Sequence, residues 1–561
     1  MHIDTTKVIT EKKVFPILKE STDRIQFFNC SFKIAVDFYH LLEHAEIEGI
    51  ERIEPAGVPE AFSTLAEPSL FISNIRFKKK IDFFNCEFAG RVSFHNVIFE
   101  KEFTFFDNHF HEDVSLSSVQ FLGITQFRSI KANKAFSILN CHIDMPAIGF
   151  RTGHFDEGLM LYNTKIKGEL DLGNTVCIGT LLIRECDIPG KLNLSSCELE
   201  NLQLIGNDRT QELMQVKELL LNDTTITGQL QIERVKIDLT FGAHFTKFKG
   251  AVFVNRSHFC GKNYWISCVF EKTLSINRTI FVQHLSLSDS KFEQAVRLNR
   301  SDYRKAEVYF NESIFNSDLS IGGNLSGHKI DHFQGLLCFQ GALFSINSIV
   351  RIFRLNTKET PLGEIQFTNA LVKGLIDIEE VYLNKVSFER TIVSGNIQVN
   401  TSLLPAIKDS NSARLLKHEA RKINNHVAAQ HYYRMEMAIY SRSLKWYSGD
   451  RFLLFLNQAS NNYGLSWTRG VGFTMISGFV FYAFFSLAKT NYSLNFLISE
   501  KFAAGFINFF WLPTGFGELV TILNPSHITG GACGALSFIL GKIAIAYGIY
   551  QTIAAFRKHL Q

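Results

Sequence analysis

Residues 248–303 read FKGAVFVNRSHFCGKNYWISCVFEKTLSINRTIFVQHLSLSDSKFEQAVRLNRSDY, and an aromatic side chain returns at every eleventh position: Phe248, Phe259, Phe270, Phe281, Phe292 and Tyr303. Ile226 and Ile237 carry the step upstream and Ile314 carries it downstream. With 46% of the chain apolar, an unbroken run of that length has chance odds on the order of one in a thousand. A companion series, Val254, Trp265, Ile276, Leu287, Leu298 and Tyr309, follows the same step. Nearer the amino end the pattern recurs as Phe88, Phe99, Phe110 and Phe121, beside a second series, Phe83, Phe94, Phe105, Leu116 and Phe127, that runs five residues earlier. After a slip it resumes as Phe150, Leu161, Leu172, Ile183 and Leu194, accompanied by Phe155, Ile166, Cys177, Ile188 and Leu199, and Gly168, Gly179 and Gly190 keep the same step. A last stretch holds Phe367, Ile378 and Phe388 beside Val372, Leu383 and Val393.

An eleven-residue period also suits a right-handed coiled coil, but such helices favour Ala, Glu, Lys and Leu. These segments carry Phe, Ile, Val, Thr, Ser, Asn and Gly, which favour short strands separated by turns. Two units therefore predict one coil of a β-solenoid, of roughly 22 residues, stacked on the next at about 4.8 Å. Residues 71–400 then give roughly 15 coils and a rod of about 70 Å. The 53 Phe, against 15 Tyr and 4 Trp, have a use on this reading: they fill the interior.

Cysteines fall in one repeated context, as in Asn85-Cys86-Glu87-Phe88 and Cys268-Val269-Phe270, where a small residue precedes a large one by two. Period-two alternation points both inward, so these are expected to be buried thiols acting as small hydrophobes. The ten cysteines contain no CxxC pair and no zinc spacing. The triplets Cys186-Asp187-Ile188, Cys197-Glu198-Leu199 and Ser301-Asp302-Tyr303 resemble the pentapeptide-repeat family. The resemblance covers residues 25–402 and implies a right-handed quadrilateral β-solenoid. Its departures are the eleven-residue step and irregular stretches near 200–220 and 320–365, read as loops, a bent axis or decayed coils. Some soluble members of that family act as acidic DNA mimics. A formal net charge of +4 gives no support to that role, and nucleic acid is not expected as a partner.

No P-loop, dinucleotide fingerprint or nucleophile elbow occurs, so the chain is expected to be neither an enzyme nor a cofactor carrier. The cluster His109-Phe110-His111-Glu112-Asp113 offers metal-ligand chemistry, but alternation places His109 and His111 on the solvent face, where solvated surface is the expectation. A carbohydrate-cleaving solenoid would need carboxylates brought together only by folding.

The alternation ends near Leu404-Pro405. Asn411 to Ser441 predicts one helix, and a second is expected after Gly449 with Asp450 as its N-cap. The latter suits a membrane surface, with Lys445 and Arg451 near headgroups and Trp446 and Tyr447 at the interface. Residues 403–470 thus form a connector. In the 471–561 region, Val471 to Ala488 is an uncharged 18-residue run, and Ala535 to Phe556 carries one charge, Lys542. Arg442, Lys445, Arg451 and Arg469 precede the first and Arg557-Lys558 close the second, so the positive-inside rule puts both ends in the cytoplasm. Residues 1–24 lack an apolar run of signal-peptide length, which agrees with a cytoplasmic solenoid.

Between the spans, Phe502 to Leu512 is apolar but too short to cross a bilayer, which predicts a re-entrant piece over 502–518. Thr514-Gly515-Phe516-Gly517-Glu518 resembles the filter of two-span potassium channels, with Pro513 standing where Thr is usual. That resemblance implies an oligomer presenting backbone carbonyls to an ion. A broader resemblance, carried by His418 to Met437, Asn462-Tyr463-Gly464 and Tyr547 to Lys558, is to membrane-anchored bacterial pentapeptide-repeat proteins, which implies an inner-membrane location. Lys542 is an intramembrane charge and so a functional candidate, with snorkelling as its structural alternative. Gly541, Ala544 and Gly548 are spaced to let helices approach closely. The expected function is a membrane-anchored, non-enzymatic scaffold that binds a protein through its solenoid. The alternative is an oligomeric ion channel controlled by the solenoid.

Overall fold

The computed structural model describes residues 23–32, 47–53, 70–303, 306–323, 333, 335–355, 362–400, 406–489, 500–523 and 531–560. Residues 1–22 and 524–530 lie outside them. The chain divides into two compact units, 1–406 and 407–561.

The first unit is a parallel β-solenoid of about 14 turns. Its register is the sequence period made visible: Val92 pairs with Val114 and Val114 with Phe136. Partners thus sit 22 residues apart, two eleven-residue units to a turn. Each turn sends four large side chains inward, as Phe83, Phe88, Phe94 and Phe99 do in the first regular one, and all four are buried. Repetition builds four internal ladders. Along one, Phe83 meets Phe105 at 5.0 Å between ring centroids, and Phe127 meets Phe150 at 4.6 Å. Along another, Phe248, Phe270 and Phe292 stack at 4.8 and 5.0 Å. These spacings match the strand repeat, so ring stacking and ladder hydrogen bonds share one period.

The corners carry a second regularity. One residue in eleven adopts the left-handed conformation, as in Asn85 (φ 49°), Asn96 (53°), Asp107 (53°), Ser118 (55°) and Ser129 (52°). Asn and Asp tolerate that geometry better than branched residues do. Some corner amides also bond to one another, Asn85 to Asn29 at 2.7 Å and Asn163 to Asn140 at 2.8 Å. The small inward residue comes next. In five of the turns Cys197, Thr224, Cys268, Ser290 and Ser313 donate to the carbonyls of Leu172, Leu194, Ala243, Trp265 and Leu287, one turn back, at 3.1, 2.6, 2.8, 3.0 and 2.7 Å. The cysteines are therefore more than small hydrophobes. They share with Ser and Thr a short donor that satisfies a buried carbonyl. Burial pushes the thiols of Cys186 and Cys268 up to about 12, which keeps them protonated and able to donate.

Thr224→Val keeps the volume and removes the donor, stranding the Leu194 carbonyl. The expected cost is about 1–3 kcal/mol, with Thr224→Ser close to wild type. Hydrogen exchange of amides in residues 194–232 reads it, and equal protection in both variants would refute the role.

Both irregular stretches keep the pairing of the coil. Leu202 pairs with Leu230, and the surplus residues form a loop near 207–213. There the Asn207 side chain accepts from the amides of Arg209 and Thr210, and the Asp208 carboxylate pairs with Arg184 and Arg234. Leu319 pairs with Val350, and the intervening residues 324–332 lie outside the described ones. At the amino end Arg24–Phe28 pairs with Lys80–Phe84, and Ile50–Arg52 adds antiparallel to Ile75–Phe77.

The second unit is helical: α1 (Ser410–Lys422), α2 (His426–Ser443), α3 (Gly449–Asn461), α4 (Trp467–Lys489), α5 (Glu500–Phe510), α6 (Phe516–Leu523) and α7 (Gly531–Leu560). The single helix expected over 411–441 is two. Asn424 turns left-handed at φ 58°, and the Asn425 side chain accepts from the Ala428 amide, which starts α2. Glu436, buried on α2, accepts from Arg414 and Lys417 of α1 and holds the pair together. The N-cap of α3 is Ser448, whose hydroxyl accepts from the Arg451 amide, and Asp450 lies in the first turn.

Candidate functional site

The carboxy-terminal helices assemble the residues that the sequence marks as unusual. α4 and α7 are long and apolar enough to cross a membrane over Trp467–Ala488 and Ala532–Arg557. They pack against each other through small residues. A Cβ on Gly548 would collide with Thr474, and one on Gly541 would meet Phe509 at 2.5 Å and Phe481 at 2.8 Å. Gly541 and Gly548 therefore permit the close approach expected of them. Their outer faces stay bare: Ile476, Phe479 and Phe484 on α4 and Leu536, Ile539, Ile543 and Ile553 on α7 are exposed. Such a band is stable only against lipid or another apolar surface. Gly548→Leu is expected to separate α4 from α7 and lower the melting temperature in detergent by several degrees, whereas Ile543→Leu on the bare face leaves it unchanged.

Asn461, buried at the end of α3, joins this hairpin to the connector. Its amide donates to the Gln551 side chain at 2.5 Å and to the Gln551 carbonyl at 3.2 Å, and its oxygen accepts from the Gly464 amide at 2.8 Å. Asn462, Tyr463 and Gly464 follow with φ of 52°, 59° and 91°, three left-handed residues in succession. The Asn462-Tyr463-Gly464 and Tyr547–Gln551 segments, far apart in sequence, thus meet at one corner.

The short segment between the spans is helical on both sides of its turn. α5 and α6 pack on the spans around Tyr482, Phe485, Phe502, Phe509, Leu519 and Ile545. Thr514 donates its amide to the Trp511 carbonyl at 3.0 Å, in the turn. The Glu518 carboxylate accepts from the Gly515 amide at 3.0 Å, and the Gly515 carbonyl accepts from the Leu519 amide at 3.2 Å. Phe516 turns its ring towards Phe485 and Phe538, at 5.8 and 5.5 Å. Phe516, Gly517 and Glu518, three of the residues that resemble a channel filter, therefore form the first turn of α6. The physical reason is the Glu518 side chain, which satisfies a free amide at the helix start and favours helix over extended chain.

Lys542 has a defined partner. Its ammonium donates to the carbonyls of Phe509 at 2.9 Å and Trp511 at 2.6 Å, and it lies 5.4 Å from the ring centres of Phe509 and Phe538. A cation thus caps the negative end of α5, whose last carbonyls have no intrahelical donor. Sequence spacing gave no sign of this, because Lys542 and Phe509 lie on different helices.

On the solenoid, His109 and His111 flank the inward Phe110 and face out, as alternation requires. Their neighbour is Glu87 of the preceding turn, which pairs with His109 across the ladder. Asp113 is instead engaged by Arg91 at 3.3 Å. No family model, curated protein or solved structure matches this chain.

Proposed function

We propose that this protein is a membrane-anchored scaffold, with the solenoid on the cytoplasmic side of a bacterial inner membrane and a binding protein held along its outer faces. The observation that carries this reading is the filled interior. Four ladders of side chains leave the outward positions as the surface that the solenoid offers, and the apolar hairpin supplies a means of holding it at a membrane. The exposed Phe452, Leu453 and Phe455 of α3, with Lys445, Arg451, Trp446 and Tyr447 beside them, fit an in-plane helix at the headgroup level.

Sidedness is tested through cysteine. Cys533 at the start of α7 is exposed, whereas Cys86, Cys141, Cys186, Cys197 and Cys268 are buried. With both ends cytoplasmic, an impermeant maleimide added to intact spheroplasts is expected to label Cys533. Labelling only after lysis would reverse the topology. A photoreactive residue at outward solenoid positions, such as Glu271 or Arg297, is expected to yield one defined protein adduct, lost when residues 467–560 are deleted. Substrate turnover that is sensitive to a single polar substitution would defeat the scaffold reading.

A conducting homo-oligomer is the second reading, favoured by the order span, short helix, turn, span. It requires several copies around residues 513–518. A monomer in nanodiscs, or conductance unchanged by Gly515→Ala and Glu518→Gln, would remove it.

A further inference from the structure

The geometry points to a divalent transition-metal site, of the zinc class, on the outer face of the solenoid at Glu87, His109 and His111. Ligand atoms of the three side chains all lie within 4.8 Å of one another. The His111 Nε2 is already 2.8 Å from a Glu87 carboxylate oxygen, and the two imidazole rings are 4.1 Å apart. A tetrahedral ion with bonds of 2.0–2.1 Å needs ligand atoms about 3.3 Å apart, which lies inside that range. Small side-chain rotations, with the backbone fixed, convert the present hydrogen bond into a coordination edge.

The backbone explains why these residues converge. His109 and His111 are two apart on one strand, so the buried Phe110 between them forces both imidazoles onto the same outward face. Glu87 sits directly beside His109 one turn back, at the strand spacing. Two imidazoles and a carboxylate make an N2O donor set suited to zinc-class ions rather than calcium or magnesium. Asn133, one turn forward, touches both rings: its oxygen is 3.0 Å from His109 Nε2 and its nitrogen 3.4 Å from His111 Nδ1. It is placed either to orient the imidazoles or to give the fourth oxygen. Lys131 pairs with His109 in the next turn, and its long stem lets the ammonium swing clear of a bound cation. A bound ion would staple successive turns together, and the site is independent of how the chain meets the membrane.

The test uses the full chain in nanodiscs, stripped with chelator and titrated with Co2+ while visible absorption is followed, then displaced by Zn2+. One equivalent with the band of a four-coordinate nitrogen and oxygen site is expected. His109→Ala/His111→Ala should abolish that equivalent, and Asn133→Ala should weaken it about 10-fold. Glu87→Gln, a conservative exposed change that leaves the fold untouched, should weaken it about 100-fold. The site is overturned if wild type binds no ion below about 100 μM, or if Glu87→Gln and the double variant keep the same tight equivalent as wild type.

Discussion

Phe105→Ala is expected to cost about 3–5 kcal/mol, the largest loss from any single truncation in the amino-terminal coils. The ring is fully buried. It lies among Phe83, Phe103, Phe110 and Phe127, at centroid distances of 5.0, 4.9, 5.3 and 5.8 Å. Neighbouring rings are held by their own ladders, so they cannot collapse into the void, and the cavity term stays near its maximum. In a solenoid each turn depends mainly on its neighbours, so the damage should be local. Amides of residues 81–128 are expected to lose exchange protection, while those beyond residue 250 keep theirs. Phe84→Ala is the control. Phe84 also stacks along the axis, on Phe28 at 5.2 Å, but is only half-buried on the outer face, and about 1 kcal/mol is expected. Equal effects from the two substitutions would mean that ring stacking, rather than interior filling, holds the coil.

Lys542→Met carries the second large effect, and its sign decides what the lysine does. Methionine keeps the length and apolar stem but removes the ammonium from the carbonyls of Phe509 and Trp511, the second of which keeps only the Thr514 amide. Charge-assisted bonds at a helix end in a low-dielectric setting put the cost at about 2–4 kcal/mol. Melting in detergent should fall by several degrees, and the fluorescence of Trp511 should change as α5 comes loose, whereas Lys542→Arg should retain most of the stability. An uncompensated membrane charge would behave oppositely, since its removal would stabilise the hairpin. A rise in melting temperature for Lys542→Met would therefore refute the capping role.

The sequence carried the fold in the eleven-residue return of Phe248, Phe259 and Phe270, because ladder stacking repeats in space whatever repeats along the chain. The two long apolar helices were legible for a simpler reason, the length of their apolar runs. The corners are less legible, although Asn85, Asn96 and Asp107 each stand one residue before a buried position. Left-handed geometry is a backbone property that Arg256, Arg278 and Arg300 adopt equally well here, so no single residue type announces it. Contacts between distant segments were beyond reach for a different reason. Glu87 beside His109, Lys542 over Phe509, and Asn461 against Gln551 each depend on register or helix packing that local spacing does not encode. Of the residues from Thr514 to Glu518, the last three open a helix whose start the Glu518 side chain supports, a local preference that the short string does not announce.

One consequence of building each turn from two near-equivalent halves concerns changes in chain length. Removing 22 residues from the regular region, for instance 247–268, deletes a full revolution and leaves every downstream side chain on the wall it occupied before. Removing eleven rotates everything downstream by half a revolution: the interior still closes, because inward positions map onto inward positions, but each outward residue exchanges its wall for the opposite one. Such a protein can lengthen or shorten without unfolding, yet the choice between odd and even multiples of eleven sets which compass direction its surface features face.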